Sequence, residues 1–271
     1  MPLPMNHFEF SQSPVTRRNL LQALAASAVA ASAPILAQSP APPDLSEIIR
    51  RNTLARGGAE VLDRVHSIAV EVEIVEGGQT LNGRYAANDQ GLVRIDVYAA
   101  GELVASEGID THGVWILGEE GPELSVATGA ANALLHGAEN HLFGWHRFGD
   151  RSHRLALLPP ANMEGTTYLV VEVHYSTGHV SYFYVDPVSW QAVRRRDERA
   201  YHPDVDQTKK RVETQLLDFR PVEGVVAAHR NEDYDLDSGK LLSVNRVISR
   251  RINPDLPADH FDRHRRAPAT W

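Results

Sequence analysis

The 271-residue chain contains no cysteine. That absence excludes disulfides, thiolate metal sites, a cysteine nucleophile and a lipid-modified N-terminal cysteine. There is no excess of basic charge either: the formal net charge is −8, whereas a phosphate backbone calls for a basic face, so nucleic acid is not an expected partner. A long apolar run is also missing. The most apolar stretch, "ALAASAVAASAPILA" at 23–37, is interrupted by Ser27, Ser32 and Pro34, while a membrane-spanning helix needs about 20 mostly apolar residues.

What that stretch does have is the layout of a secretory signal. Thr16-Arg17-Arg18-Asn19-Leu20-Leu21-Gln22 precedes it, in the manner of a twin-arginine signal, and small residues close it. Cleavage is expected after Ala37, which gives a signal peptide over 1–37, a Pro-rich linker over 38–43 and a soluble, periplasmic mature protein. The remainder suits one large, mainly β domain.

The order of elements can be read from periodicity. Asp44 with Glu47 resembles a capping box, and Leu45, Ile48 and Ile49 begin a helix over about 45–56 that Gly57-Gly58 ends. From 67 to 118 the residues alternate between closely spaced turn signals, the pattern of an antiparallel meander. Between 129 and 146 the period becomes helical, with Ala131, Leu134, Leu135, Ala138, Leu142 and Trp145 on one stripe. Strands then resume to about 252. Their number, about 11 or 12, predicts a twisted sheet that curls, with two helices free to cover its inside.

One hairpin within the second run, "TTYLVVEVHYSTGHVSYFYVDP" at 166–187, carries apolar side chains on both faces. A two-residue loop at Thr177-Gly178 would place Tyr175 opposite Val180, Val173 opposite Tyr182 and Val171 opposite Tyr184. Val170, Phe183 and Val185 would then point the other way.

Several short segments in this order resemble the LolA/LolB-like superfamily of outer-membrane lipoprotein-sorting proteins. They are Gly57-Gly58, "DTHGVW" at 110–115, "YFYVD" at 182–186, "DFRPVEGVVAAHR" at 218–230 and "INPDLPADHF" at 252–261. The resemblance covers about 44–262, leaving 263–271 as a tail. It implies an α+β, mainly β fold: a half-open antiparallel barrel of about 11 strands, with helices over its mouth and an apolar cavity beneath them. The arginine-proline that such lipoprotein chaperones carry after the second strand is absent, since that turn is Ala87-Asn88-Asp89. The resemblance therefore implies an apolar-ligand carrier in general.

The expected cavity residues are Val93, Ile95, Val97, Leu169, Val171, Val173, Tyr182 and Tyr184 on the sheet, with Leu134, Leu135, Leu142 and Trp145 on the helix. Strand alternation from Trp190 and Ala192 puts Arg194 and Arg196 on the same side, as candidates for holding a head group or latching the lid; a solvated strand rim explains them as well. Among the 13 histidines, His136, His141 and His146 are spaced by five, about 140° apart on a helix, so they do not converge on a metal. No HExxH, G-x-S-x-G or EF-hand pattern occurs. The sequence therefore points to no catalytic residue, metal or cofactor, and the expected function is a carrier of a lipid, an acyl chain or a lipoprotein, exchanging it with a membrane-protein donor or acceptor. Two readings from other classes stand beside it: a protein-interaction or sensory module built on the same half-barrel, and an enzyme with a metal at the lid histidines.

Overall fold

In the computed structural model, residues 42–118, 121–124, 128–202 and 206–265 are described. The expected signal peptide, its cleavage site and most of the linker lie outside them. Among the described residues three helices, α1 (Leu45–Ala55), α2 (Ala59–Leu62) and α3 (Thr128–Leu142), accompany thirteen strands. The first run of strands is β1 (Ser67–Glu76), β2 (Gln79–Asn88), β3 (Val93–Ala99), β4 (Glu102–Asp110), β5 (Gly113–Gly118) and β6 (Gly121–Leu124). The second is β7 (Arg154–Met163), β8 (Thr166–His174), β9 (Val180–Val185), β10 (Ala192–His202), β11 (Asp206–Val222), β12 (Val225–Asp235) and β13 (Leu241–Ile252).

All thirteen form one antiparallel sheet, ordered β6-β5-β4-β3-β2-β1-β13-β12-β11-β10-β9-β8-β7 and left open between β6 and β7. The strands exceed the expected eleven or twelve because β6, only four residues long, shows no readable alternation. The fold is a mainly β, half-open barrel. Every link between sequence neighbours is of hairpin length except the one through α3, and β1 closes the long-range pairing by lying against β13.

The two runs bury their concave faces under different covers. Leu134, Ala138 and Leu142 of α3 pack on Ile68, Val70, Ala87 and Val93 of β1, β2 and β3. Ile48 of α1, with Trp145 and Phe148 from the 3-10 turns after α3, packs on Leu169, Val171, Val173, Phe183 and Val185 of β8 and β9. Helix α1 begins where the sequence places it, with Asp44 accepting the Glu47 amide at 2.8 Å. The capping box is only half made, because the Glu47 carboxylate turns instead to Arg50 and Arg51 on the next turn. At its other end α1 abuts the β11–β12 turn. There Gly57 adopts φ 119°, and a β-carbon on it would lie 2.2 Å from the Gly224 carbonyl oxygen, so glycine is required.

The 166–187 hairpin corrects the expected register. Tyr175 and His179 are partners, the Tyr175 amide donating to the His179 carbonyl at 2.9 Å and the Gly178 amide to Tyr175 at 2.9 Å. The loop is thus the three residues Ser176-Thr177-Gly178, with Gly178 at φ 87°, the three-residue type closed by a left-handed glycine. Val171 then faces Phe183, and Val170 faces Tyr184. A slip of one residue turns every side chain of a strand over. Phe183 and Val185 point inward, while Tyr182 and Tyr184 point outward beside Tyr168 and Val170.

The chain remains anchored past the expected domain end at 262. Arg263 makes two 2.7 Å hydrogen bonds to Asp110, both side chains being buried, and Arg94 donates to the carbonyls of Asp262 and Arg265.

Candidate functional site: a cavity between the sheet and its covers

Between the two covered wings lies a cavity of about 1080 Å³. Its walls include Ile95 of β3, Ile74 of β1 and Tyr85 of β2, but also Asp197 of β10 and Thr214 of β11, so the sheet curls around it. Leu134, His136, Gly137, Asn140 and His141 of α3 roof it, with Trp145 and Phe183 at one side. The volume lies just above the ~300–1,000 Å³ typical of ligand sites.

Of the residues expected there, Ile95, Leu134 and Trp145 line the cavity. Val93 and Leu142 are buried beneath α3, and Leu169, Val171 and Val173 are packed under α1. Leu135 rests near the β2–β3 turn, 3.9 Å from where a β-carbon of Gly91 would sit. Val97 lies on the same strand two residues beyond Ile95, paired with Gly83, and does not line the cavity. Tyr182 and Tyr184 are on the opposite face of the sheet.

Arg194 and Arg196 are also on that outer face, a correction with a local cause. The β9–β10 pairing shifts between Ala192 and Arg194, and this β-bulge inverts the alternation that places them inward. Arg194 and Arg196 both pair with the buried Glu213, at 2.8 and 2.6 Å, and Arg196 lies 5.0 Å over the Tyr184 ring. They hold the outside of the sheet together. It is Arg195, aligned with Phe183, that enters the cavity.

Much of the cavity wall is polar. Arg195 lies 3.2 Å from Asp197, and Arg199 bridges Asp197 and Asp233. Burial pushes the Asp197 carboxyl up, but Arg195, His179 and Arg199 together hold it below the usual carboxylate range. On α3, His136 is 2.6 Å from the Thr177 hydroxyl and stacks on His179 at 4.5 Å. Burial, then the charges of His179 and Arg195, lower its pKa to about 3. His141, on the next turn, is lowered to about 3 by burial and by Arg250, Arg56 and Arg195. Both imidazoles are neutral at pH 7. His146 points elsewhere, to Asp63 at 3.0 Å. No group of three or more histidine, aspartate or glutamate side chains arranged to hold a metal occurs among the described residues.

Arg56 and Arg250 differ from the other cavity arginines. Arg56, the residue after α1, donates to the Phe143 carbonyl at 3.0 Å and the Asn140 carbonyl at 3.4 Å, tying α1 to the end of α3. Burial and the neighbouring charge of Arg250 lower its pKa to about 10. Arg250, only 9% exposed, reaches the Ala228 carbonyl at 3.4 Å and leaves its Nε buried without a partner. Composition alone could not have found these two, because their identity as cavity groups depends on a helix end and a bulge.

The architecture is thus a half-open antiparallel sheet wrapped around a roofed cavity. Solved structures identify it: the fold is LolA-like. A LolA superfamily protein from Nitrosomonas europaea superposes with a TM-score of 0.52 at 14% identity, over 81% of this chain and 98% of that one. A DUF1329 family protein from Desulfovibrio piger gives 0.51 at 11% identity, over 81% and 98%. At such identities the likeness concerns the fold alone. No protein-family profile and no curated protein matches the sequence.

Proposed function

We propose that this protein is an exported carrier that shields a lipid or acyl chain in the cavity beneath α3 and releases it to a membrane acceptor. The observation that carries this reading is the cavity itself: about 1080 Å³ between α3 and the sheet, while the stabilising cores lie to either side of it. Ile74, Ile95, Leu134, Trp145, Leu216 and Phe219 give it apolar wall. Each methylene buried there contributes about 0.8 kcal/mol. The export signal at 16–37, a free periplasmic location and cleavage after Ala37 complete the proposal; no helix among the described residues is long and apolar enough to cross a membrane.

Native mass spectrometry of the mature protein purified from its own compartment tests the reading. A bound species whose mass and organic extraction identify it as a lipid is the expected result. An unliganded protein that also takes up no lipid from mixed vesicles refutes it.

A further inference from the structure

Two buried arginines of the cavity have no acidic partner among the described residues. Among the described residues, neither Arg56 nor Arg250 has a carboxylate within 4 Å, and their hydrogen bonds run only to main-chain carbonyls. Arg195 and Arg199 are unlike them in sharing Asp197. A buried guanidinium left without a counter-charge is costly, because desolvation is not offset.

Around this charge the sheet assembles further donors. Val70 of β1 is the register partner of both Tyr85 on β2 and Arg250 on β13, so these three side chains form one row across the concave face. Arg250 joins that face through a β-bulge opposite Glu71 and Val72, as Arg195 does through the bulge in β10. The Tyr85 hydroxyl is buried and unpartnered, and the His141 ring lies 5.4 Å from the Tyr85 ring, roofing the row. The acidic cavity residues lie apart from it or are already engaged. Glu76 is six residues along β1 from Val70, roughly 20 Å at strand rise, and Glu107, in the same row but two strands beyond Tyr85, has a partner of its own.

Taking the carrier reading as its basis, we propose that Arg56, Arg250 and the Tyr85 hydroxyl form an internal site for the anionic head group, a carboxylate or phosphate monoester, of an amphiphile whose tail fills the apolar part of the cavity. Two guanidinium groups and a phenol donate to such an anion without a competing carboxylate. The head is thus held inside and not at the cavity mouth.

The test is calorimetric titration of the full mature protein, delipidated, with dodecanoate, dodecyl phosphate, dodecanol, acetate and inorganic phosphate. At least one of the charged dodecyl ligands should bind tighter than dodecanol by about 10–100-fold, the factor carried by hydrogen bonds to charged groups. Arg250→Met should erase most of that preference, the charged dodecyl ligands losing affinity relative to dodecanol. It should also raise the thermal midpoint of the empty protein, since an uncompensated charge is gone. Tyr85→Phe, which keeps the ring, provides the same comparison should the arginine variant fail to fold. Equal affinity for charged and uncharged dodecyl ligands overturns the head-group site and leaves the carrier reading standing. Acetate or phosphate binding as tightly as the dodecyl ligands overturns the amphiphile in favour of a free anion. Absence of binding by all five overturns the carrier reading, and this site with it.

Discussion

The buried imidazole of His136 makes a prediction that can be worked through quantitatively. In the folded protein its pKa is about 3, pushed there first by burial and then by His179 and Arg195, with Asp197 pulling weakly the other way. In the unfolded chain it returns to about 6.5. The unfolded state therefore takes up the proton first as pH falls, so stability is complete above pH 6.5 and is lost between 6.5 and 3. Between pH 7.5 and 5.0 the loss from this one group is about 1.36 × 1.5, or about 2 kcal/mol. His141 and His260, lowered to about 3 and 4, add to the wild-type decline but act equally in a His136 variant. Carboxylates such as Asp197, held below their usual range, lose their contribution only as the pH falls below about 4, outside the window. Urea unfolding of wild type and His136→Gln at the two pH values provides the measurement. The glutamine variant should lose about 2 kcal/mol less on acidification, whatever its stability at pH 7.5. Parallel pH dependences would refute a buried, neutral His136.

Leu142→Ala, at a side chain 1% exposed beneath α3, should cost about 2–5 kcal/mol by chemical denaturation, and added lipid should recover little of it because the void opens in the packed wing. Arg263→Met should cost about 3 kcal/mol in the same assay, since it removes the counter-charge of the buried Asp110 carboxylate and leaves it only the His112 and Gly113 amides; its sign is opposite to that expected for Arg250→Met. Arg196→Ala should leave the ligand seen by native mass spectrometry at wild-type occupancy, because this side chain lies on the outer face with Glu213 and Tyr184.

The sequence carries the fold through signals that repeat. The alternation of β1 to β5, the helical stripe from Leu134 to Leu142 and the Asp44 cap each state a period or a boundary several times over, so they survive local error. The site depends on single-residue events. Whether Tyr184 or Phe183 faces inward turns on one extra residue in the loop before His179, and whether Arg194 or Arg195 does turns on one bulge after Ala192. Arg250 enters the cavity through another such shift. A bulge leaves no composition or spacing of its own in the strand that contains it, so alternation counted across it assigns the wrong face with full regularity. Arg56 was hidden differently: it follows the last turn of α1, where a charged residue reads as solvated, and only docking against α3 brings it to the cavity.

The polar cavity and the apolar wings are consequences of one another. The Leu134–Leu142 stripe and the Trp145–Phe183 contact, its rings 5.5 Å apart, each complete a core on their own side of the sheet. Neither core requires the middle strands to be apolar. A domain whose net stability is only about 5–15 kcal/mol can tolerate buried Arg56, Arg250, His136 and His141 only if burial elsewhere offsets their desolvation. The separation of the two clusters supplies that offset, leaving β10 to β13 free to present charge. Sequences that break the rule of apolar interiors tend to do so where a ligand acts. Here the break coincides with the cavity beneath α3, and the bulged strands face that same cavity. The charge on the concave face is therefore the part of this half-barrel that packing of its cores explains least.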